Sequence, residues 1–594
     1  MLRTFADIPA NATGDLFGQI YEYFLSEFAR SEGQKGGEFF TPRSVVRLMV
    51  EIIEPHGGKV FDPACGSGGM FVQSAQFIAE HRKELKGSES GVYVCGQEKT
   101  RDTVNLAKMN LAVNGLRGEI KQANTYYEDP YQSFGAFDYV LANPPFNVDD
   151  VSLSSVEKDK RFNTYGIPRN KSKVKKADEG KETVPNGNYL WISLFATSLK
   201  EKGRAALVMA NSASDARHSE ADIRKTLIEQ NLIYAMLTLP SNMFYTVTLP
   251  ATLWFFDKAK TDDKILFIDA RNIFTQIDRA HREFSEEHIQ NLAIISQLHK
   301  GRSEKFVQLI DRYFAVGMQC LDENKAKVEP VSAQLLAVLD DAGGKQAVGE
   351  LVQQWAGLAK LKTCYQKYLQ QNMPVMPNAS PSVIPNVCEE SDSPYKISPS
   401  GRNDNSVIPN EREESLAGRG KSTISAINKA QQQLREAFDP FFVALHEGLK
   451  HLDKIVRQHE KQQAVQAQAD GKRGTTDRKT NALKGAIEEL HKEVKNAEIF
   501  YQHIHWLQER FPKAEYEDVI GLCKLASPAD VQEQEHSVNP GRYVGVVIEE
   551  DGKTEEEFIN ELILASDEVS KLTIDARKLE KVISQNIRQL IGEA

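Results

Sequence analysis

Cysteine is sparse. Six residues (Cys65, Cys95, Cys320, Cys364, Cys388 and Cys523) are spread over 594 positions, and none forms a Cys-x-x-Cys pair. This argues against a disulfide framework and against zinc, so no metal site is expected, and a reducing cytoplasm is the expected location. No apolar run is long enough to span a bilayer, and the start at Met1-Leu2-Arg3-Thr4-Phe5 lacks a signal-peptide pattern, so no membrane partner is expected. Positive charge is in deficit, the formal net charge being −10. Any contact with a polyanion must therefore come from local patches. Two glycine motifs are also missing. There is no Gly-x-Gly-x-x-Gly and no phosphate-loop lysine, which argues against a dinucleotide or ATP.

What is present fits a soluble, multidomain chain. Its length exceeds one hydrophobic core, and 41% apolar with 26% charged residues is an ordinary globular balance. The sharpest local signal is Asn143-Pro144-Pro145-Phe146, placed after the apolar run Phe137-Asp138-Tyr139-Val140-Leu141-Ala142. Consecutive prolines end a strand, because they fix φ and donate no backbone hydrogen bond. The result is a stiff turn at a strand's carboxyl end, where open α/β sheets bind ligands. An amide before it and a ring after it can hold a planar group bearing an amine. A proline-rich turn with a core phenylalanine is the competing reading.

Three further strand ends precede it. Lys59-Val60-Phe61 leads into Asp62-Pro63-Ala64-Cys65-Gly66-Ser67-Gly68-Gly69 and a helix from Met70 to about Glu80. Strand, glycine turn and helix is the first unit of a Rossmann-like sheet, and glycines permit close backbone approach to a ligand. The strand Gly91–Gln97 ends at Glu98, placed to accept ribose hydroxyls, and a strand near Ile120 ends at Asn124. Upstream, residues 16–28 show one apolar helical face, followed by a glycine-containing loop. In Glu38-Phe39-Phe40-Thr41-Pro42-Arg43, Thr41 reads as an N-cap and Pro42 as the first residue of a helix through Ile52.

Taken in order, Phe40-Thr41-Pro42, the glycine turn, Glu98 and Asn143-Pro144-Pro145-Phe146 resemble the S-adenosylmethionine-dependent DNA adenine-N6 methyltransferases. More closely, they resemble the modification subunit of type I restriction-modification systems. The likeness continues through Asn188-Tyr189-Leu190-Trp191, Leu239–Tyr245 and Pro250–Lys258, and returns at Asn539-Pro540-Gly541-Arg542-Tyr543. It implies a Rossmann-like α/β methyltransferase sheet with a short amino-terminal helical segment and a helical, coiled-coil-like carboxyl-terminal region. It also implies catalysis by Asn143, Pro144, Pro145 and Phe146. S-adenosyl-L-methionine would be bound by Glu38, Phe39, Phe40, Thr41, Pro42, Arg43, Asp62, Gly66, Ser67, Gly68, Gly69, Glu98 and Asn124. The substrate would be a flipped-out adenine in double-stranded DNA. The implied partners are a specificity subunit shared by two modification subunits, and a restriction/translocase subunit. A non-catalytic scaffold, or an amino methyltransferase acting on RNA or a protein glutamine, are the rival readings.

Three features depart from the family pattern. Only about one helix precedes Phe-Thr-Pro, so residues 1–37 read as the remnant of a larger helical domain. Asn124 stands where aspartate is usual. Residues 373–420 form a Pro-, Ser-, Asn- and Glu-rich linker in which Ser382–Asn386 recurs as Ser406–Asn410, read as a disordered insertion. Residues 38–300 are then the catalytic domain, 301–372 a helical extension and 421–594 a helical subunit-interaction region. Seams with a heptad-like spacing run through Leu483, Ile487, Leu490, Val494, Ala497 and Tyr501, and again from Phe558 to Leu579. An intramolecular partner is the commoner answer for such seams, whereas the resemblance points both at the specificity subunit. Lys158, Lys160, Arg161, Lys171, Lys173, Lys175 and Lys176, with Phe162 and Tyr165 among them, fill a long insertion beside the site. A charge run is commonly a solvated face, but here DNA phosphates are the expected contact.

Overall fold

Along the central strands, apolar side chains alternate between two cores. Val60, Val94, Leu141 and Val208 face one, while Phe61, Cys95, Val140 and Leu207 face the other. Strands buried on both sides need helices over both faces. The computed structural model describes residues 41–81, 91–170, 182–244, 250–278, 281–339, 341–372, 421–469 and 478–546. The expected remnant 1–37, the linker 373–420 and the seam from Phe558 to Leu579 lie outside them.

The strands are β1 (Gly58–Asp62), β2 (Val92–Glu98), β3 (Arg117–Gln122), β4 (Phe137–Ala142), β5 (Leu199–Ala210), β6 (Ile233–Thr238), β7 (Ala251–Asp257), β8 (Ile265–Asp269), β9 (Thr275–Gln276), β10 (Arg282–Glu283) and β11 (Cys523–Ala526). Nine of them form one sheet in the order β11-β8-β6-β7-β5-β4-β1-β2-β3, and β9 with β10 makes a separate ribbon. β7 and β11 run antiparallel to their neighbours, and the remaining pairings in the sheet are parallel. The chain moves outward from β1 to β3 and then returns to place β4 on the other side of β1. That reversal opens a crevice at the carboxyl ends of β1 and β4.

On the first face lie α1 (Arg43–Ile53), α2 (Gly69–Glu80) and α3 (Arg101–Val113). On the second lie α4 (Asn188–Ser198), which is buried along its whole length, and α5 (Ser219–Glu229). α6 (Glu286–His299) packs on α1, its start fixed by a capping box between Ser285 and His288. α1 ends at Glu54, which has φ 48°. The Glu54 carboxylate, buried at this turn, accepts from Lys300 Nζ at 2.9 Å and Arg302 NH1 at 2.7 Å, with Arg204 NH1 at 3.8 Å. Although burial alone would raise it, Lys300, Arg302 and Arg204 bring its pKa down to about 2.

Two four-residue helical turns, Leu153–Val156 and Lys160–Asn163, follow β4, and the longer helices beyond α6 among the described residues are α7 (Ser303–Leu336), α8 (Ala342–Ala356), α9 (Leu358–Asn372), α10 (Lys421–Ala469) and α11 (Arg478–Arg510), with the short α12 (Pro528–Glu533). The first seam does not wait for another subunit. Ile487, Leu490, Val494, Ala497 and Tyr501 are buried within this chain. Asn324 Nδ2 of α7 donates to Glu493 O at 2.9 Å, and Phe438 of α10 stacks on Tyr501 at 5.9 Å. The intramolecular alternative describes this seam, because α7 and α10 fill its holes.

The expected helical carboxyl-terminal region is present in α10 and α11, and after it Cys523–Ala526 adds an edge strand antiparallel to β8. The main-chain hydrogen bonds that β8 presents at the sheet edge are satisfied there. Among the described residues, no helix is long and apolar enough to cross a membrane.

Candidate active site

The glycine turn is shaped by its own backbone. Gly66 and Gly68 sit at φ 50° and 85°, a region that favours glycine. Gly68 N donates to Cys65 O at 2.8 Å and Cys65 N to Gln97 O at 2.9 Å, folding the turn against β2. Asn110 Nδ2 of α3 holds Ser67 O at 2.9 Å. A Cβ placed on Gly66 or Gly69 meets no atom of the described residues within 4 Å, so both glycines border open space among them.

Two carboxyl groups close this turn. Asp62, buried at the end of β1, accepts from Ala64 N at 2.9 Å. Burial pushes its carboxyl well above the usual range, against the lowering effect of that N–H, and the nearby Glu98 charge adds to the rise. Glu98, at the end of β2, accepts from Gly66 N at 3.2 Å and Thr100 N at 3.1 Å. A buried acid beside a carboxylate favours a ligand that brings positive charge.

At the end of β4, Asn143 Nδ2 donates to Thr41 Oγ1 at 3.0 Å. Its other amide atom, Oδ1, is buried and has no hydrogen-bond partner among the described residues. An unpaired buried acceptor of this kind is costly and points to a donor supplied by a ligand. Thr41 is not the N-cap that the sequence suggests. Pro42 occupies that position, with its carbonyl accepting from Val45 N and Val46 N, and the Thr41 hydroxyl turns to Asn143 instead. Phe146 is half-buried and packs against both cores.

The exit of this turn is held by Asn147, Asn186 and Gly187, which the sequence did not single out, together with Asn188 of the Asn188-Tyr189-Leu190-Trp191 run. Asn147, at φ 57°, donates its N–H to Asn188 Oδ1 at 2.8 Å. Its own Oδ1 accepts from Asn186 Nδ2 and Asn188 Nδ2, both at 3.0 Å. Gly187 N donates to Val148 O at 2.6 Å, and a Cβ at Gly187 would lie 2.9 Å from the Tyr126 hydroxyl. The available signal was three asparagines bracketing the insertion, one of a type that tolerates left-handed backbone.

Other expected site residues are placed differently. Asn124 Oδ1 accepts from Tyr126 N at 3.2 Å, so this side chain shapes the turn after β3. Arg43 donates to Gln76 Oε1 at 3.2 Å, tying α1 to α2. Arg161 is corrected: it is only 4% exposed and cannot reach DNA phosphates. Its guanidinium pairs with Asp159 at 2.7 Å and donates to Thr125 O and Glu128 O, both at 3.1 Å. Phe162 and Tyr165 are core residues, whereas Lys158 and Lys160 are exposed. Glu38, Phe39, Phe40, Lys171, Lys173, Lys175 and Lys176 lie outside the described residues.

A glycine turn and a carboxylate on the first two strand tips, opposite an Asn-Pro-Pro-Phe turn on the fourth, define a Rossmann-like methyltransferase fold. The N-6 DNA Methylase family model matches residues 12–312, and the chain belongs to that family. It is 40% identical over 283 residues to the type I restriction enzyme MjaIX methylase subunit of Methanocaldococcus jannaschii, covering 47% of this chain and 48% of that protein. It is 36% identical over 282 residues to the HindI methylase subunit of Haemophilus influenzae, covering 47% and 59% respectively. The chain thus spans about half the length of the relatives it matches. It is also similar to the crystal structure of a type I restriction-modification methyltransferase subunit from Streptococcus thermophilus, with 28% identity, a TM-score of 0.42, and coverage of 48% of this chain and 58% of that one.

Proposed function

We propose that this chain transfers a methyl group from S-adenosylmethionine to N6 of an adenine in DNA, as the modification subunit of a type I restriction-modification complex. The observation that carries the reading is the buried Oδ1 of Asn143, which has no hydrogen-bond partner among the described residues and is fixed in place by the bond from its Nδ2 to Thr41. An acceptor so held suits an amine and disfavours a carbonyl.

The open space beside Gly66 and Gly69, the Glu98 carboxylate and the buried Asp62 fit such a cofactor, which carries an amine, a cationic sulfur and a ribose. Ser67, Gly68, Pro42, Arg43 and Asn124, with Glu38, Phe39 and Phe40, complete the proposed cofactor-binding set. When bound, S-adenosylmethionine supplies an electrophilic methyl on sulfur and leaves as a neutral thioether.

The chain's own groups act mainly by positioning. Asn143 Oδ1 and the Pro144 carbonyl accept the two amino hydrogens of the base. This favours a tetrahedral nitrogen whose lone pair is free to attack, and N6 releases one proton to solvent as it gains the methyl. Pro145 stiffens the turn. Phe146 stacks on the flipped base, and such stacking contributes roughly 1–3 kcal/mol. Lys158 and Lys160, with Lys171, Lys173, Lys175 and Lys176, contact phosphate. A specificity subunit selects the site, two modification subunits serve each one, and a restriction subunit completes the assembly.

The test is transfer of tritiated methyl from the cofactor to unmethylated DNA, with and without the cognate specificity subunit. Label in adenine N6 that vanishes in Asn143→Ala is expected. Label that persists in that variant refutes the chemistry. Label only in RNA or in a protein glutamine refutes the substrate, and an inactive but assembled complex marks a scaffold.

A further inference from the structure

The run Asn539-Pro540-Gly541-Arg542-Tyr543 has no part in the chemistry above, yet it is bound tightly to the catalytic sheet. Asp215 lies in the 3-10 turn Asn211–Asp215 that follows β5, the strand beside β4. Its carboxylate accepts from the Ser537 hydroxyl and from Asn539 Nδ2 at 2.8 Å, and forms an ion pair with Arg542, whose Nε lies 3.1 Å away. Val538 N donates to Ser214 O at 3.0 Å. Tyr543 stacks on Phe267 of β8 with ring centroids 3.8 Å apart, and its hydroxyl donates to Ser537 O at 2.5 Å.

A second set of bonds leads from this run toward the catalytic turn. Arg224 of α5, 3% exposed, donates to His536 O at 2.6 Å, to Ala216 O at 2.8 Å and to the Tyr189 hydroxyl at 3.0 Å. The Tyr189 hydroxyl donates in turn to Ala213 O at 2.7 Å. Tyr189 directly follows Asn188, whose side-chain oxygen fixes the N–H of Asn147, one residue beyond Phe146.

We infer that residues 536–543 are a latch that sets the position of the catalytic turn. Arg224, Tyr189 and Asn188 transmit the constraint, and Asp215 anchors it. Buried polar networks specify a single arrangement when every member is satisfied, and removing one member leaves the others unpaired. On this inference Asp215, Arg224 and Asn539 are positioning residues. The activity arm of the test rests on the methyl-transfer reading, but the structural arm does not.

Asn539→Ala and Asn147→Ala are made singly and together in the full-length chain with its cognate specificity subunit. Amide hydrogen exchange is followed by mass spectrometry over residues 143–148. Pro144 and Pro145 carry no N–H, so the Asn147 amide is a direct reporter. Asn539→Ala is expected to raise exchange there by about fivefold or more while leaving Tm within a few degrees. It is expected to lower kcat with little change in KM for DNA. The kcat losses of the two variants are expected to overlap in the double variant, whereas distant independent sites multiply. Unchanged exchange at the turn, or losses that multiply, would overturn the inference. If Asn539→Ala does not fold, Arg542→Gln removes the exposed arm of the same anchor and is read by the same exchange. A complex that methylates nothing but shows the exchange effect condemns the transfer reading and keeps the latch.

Discussion

Replacing Thr41 by valine separates two roles for that hydroxyl. Valine preserves the shape and removes the acceptor that Asn143 Nδ2 meets at 3.0 Å. A hydrogen bond of this kind contributes about 0.5–1.5 kcal/mol net, which corresponds to roughly a two- to tenfold bias for the orientation that aims Oδ1 at the substrate. Without it, the amide can turn over and present N–H to an amine that also carries only donors. Methyl transfer by Thr41→Val is therefore expected to fall by about three- to tenfold in kcat, with KM for the cofactor little changed. Thr41→Ser, which keeps the oxygen, is expected to retain most of the activity. The assay is steady-state transfer of tritiated methyl with cofactor and DNA varied separately. Wild-type kcat in Thr41→Val, or equal damage from serine and valine, would refute the argument. A change confined to the cofactor KM would instead assign the hydroxyl to cofactor binding.

Gly69 has an ordinary backbone and open space where a Cβ would stand. Gly69→Ala should thus leave Tm unchanged and weaken cofactor binding measured by calorimetry, and undiminished affinity would remove this turn from the site. Arg161→Ala leaves Asp159 without its partner and Thr125 O and Glu128 O without that donor, so a loss of about 2–4 kcal/mol in denaturant unfolding is expected. Lys158→Ala and Lys160→Ala should leave stability alone and each reduce the salt slope of DNA binding by about one; the reverse pattern would restore Arg161 as the phosphate contact. Glu54 has a folded pKa of about 2 against 4.5 when unfolded, so its contribution is complete above pH 4.5 and is lost as pH falls toward 2. That contribution is on the order of 3 kcal/mol, and Glu54→Gln should flatten acid unfolding in that window. An unaltered acid limb would show that the Lys300 and Arg302 pairs contribute little.

Much of the site was legible because strand tips carry local signatures. Short apolar runs announce β1, β2 and β4, and a proline one or two residues on marks where β1 and β4 stop. The bond between Thr41 and Asn143 was not legible, since 102 residues separate them and capping offered the threonine a plausible local role. Arg161 was misread because it sits in a basic run, and only the fold reveals that the loop after β3 turns its carbonyls toward it. β11 was missed for a different reason. Cys523-Lys524-Leu525-Ala526 is short and its pattern weak, and tertiary pairing decides its conformation.

That edge strand has a consequence for how the protein is made. β8 pairs with residues that leave the ribosome about 250 positions later. At ordinary elongation rates, the nascent sheet waits for many seconds with one margin unpaired. Such a margin is a template for intermolecular pairing until its own strand arrives. A fragment ending at residue 312, where the family match stops, would carry that vulnerability permanently and is expected to aggregate. Co-expressing residues 313–594 as a second polypeptide would supply the missing strand in trans and rescue its yield.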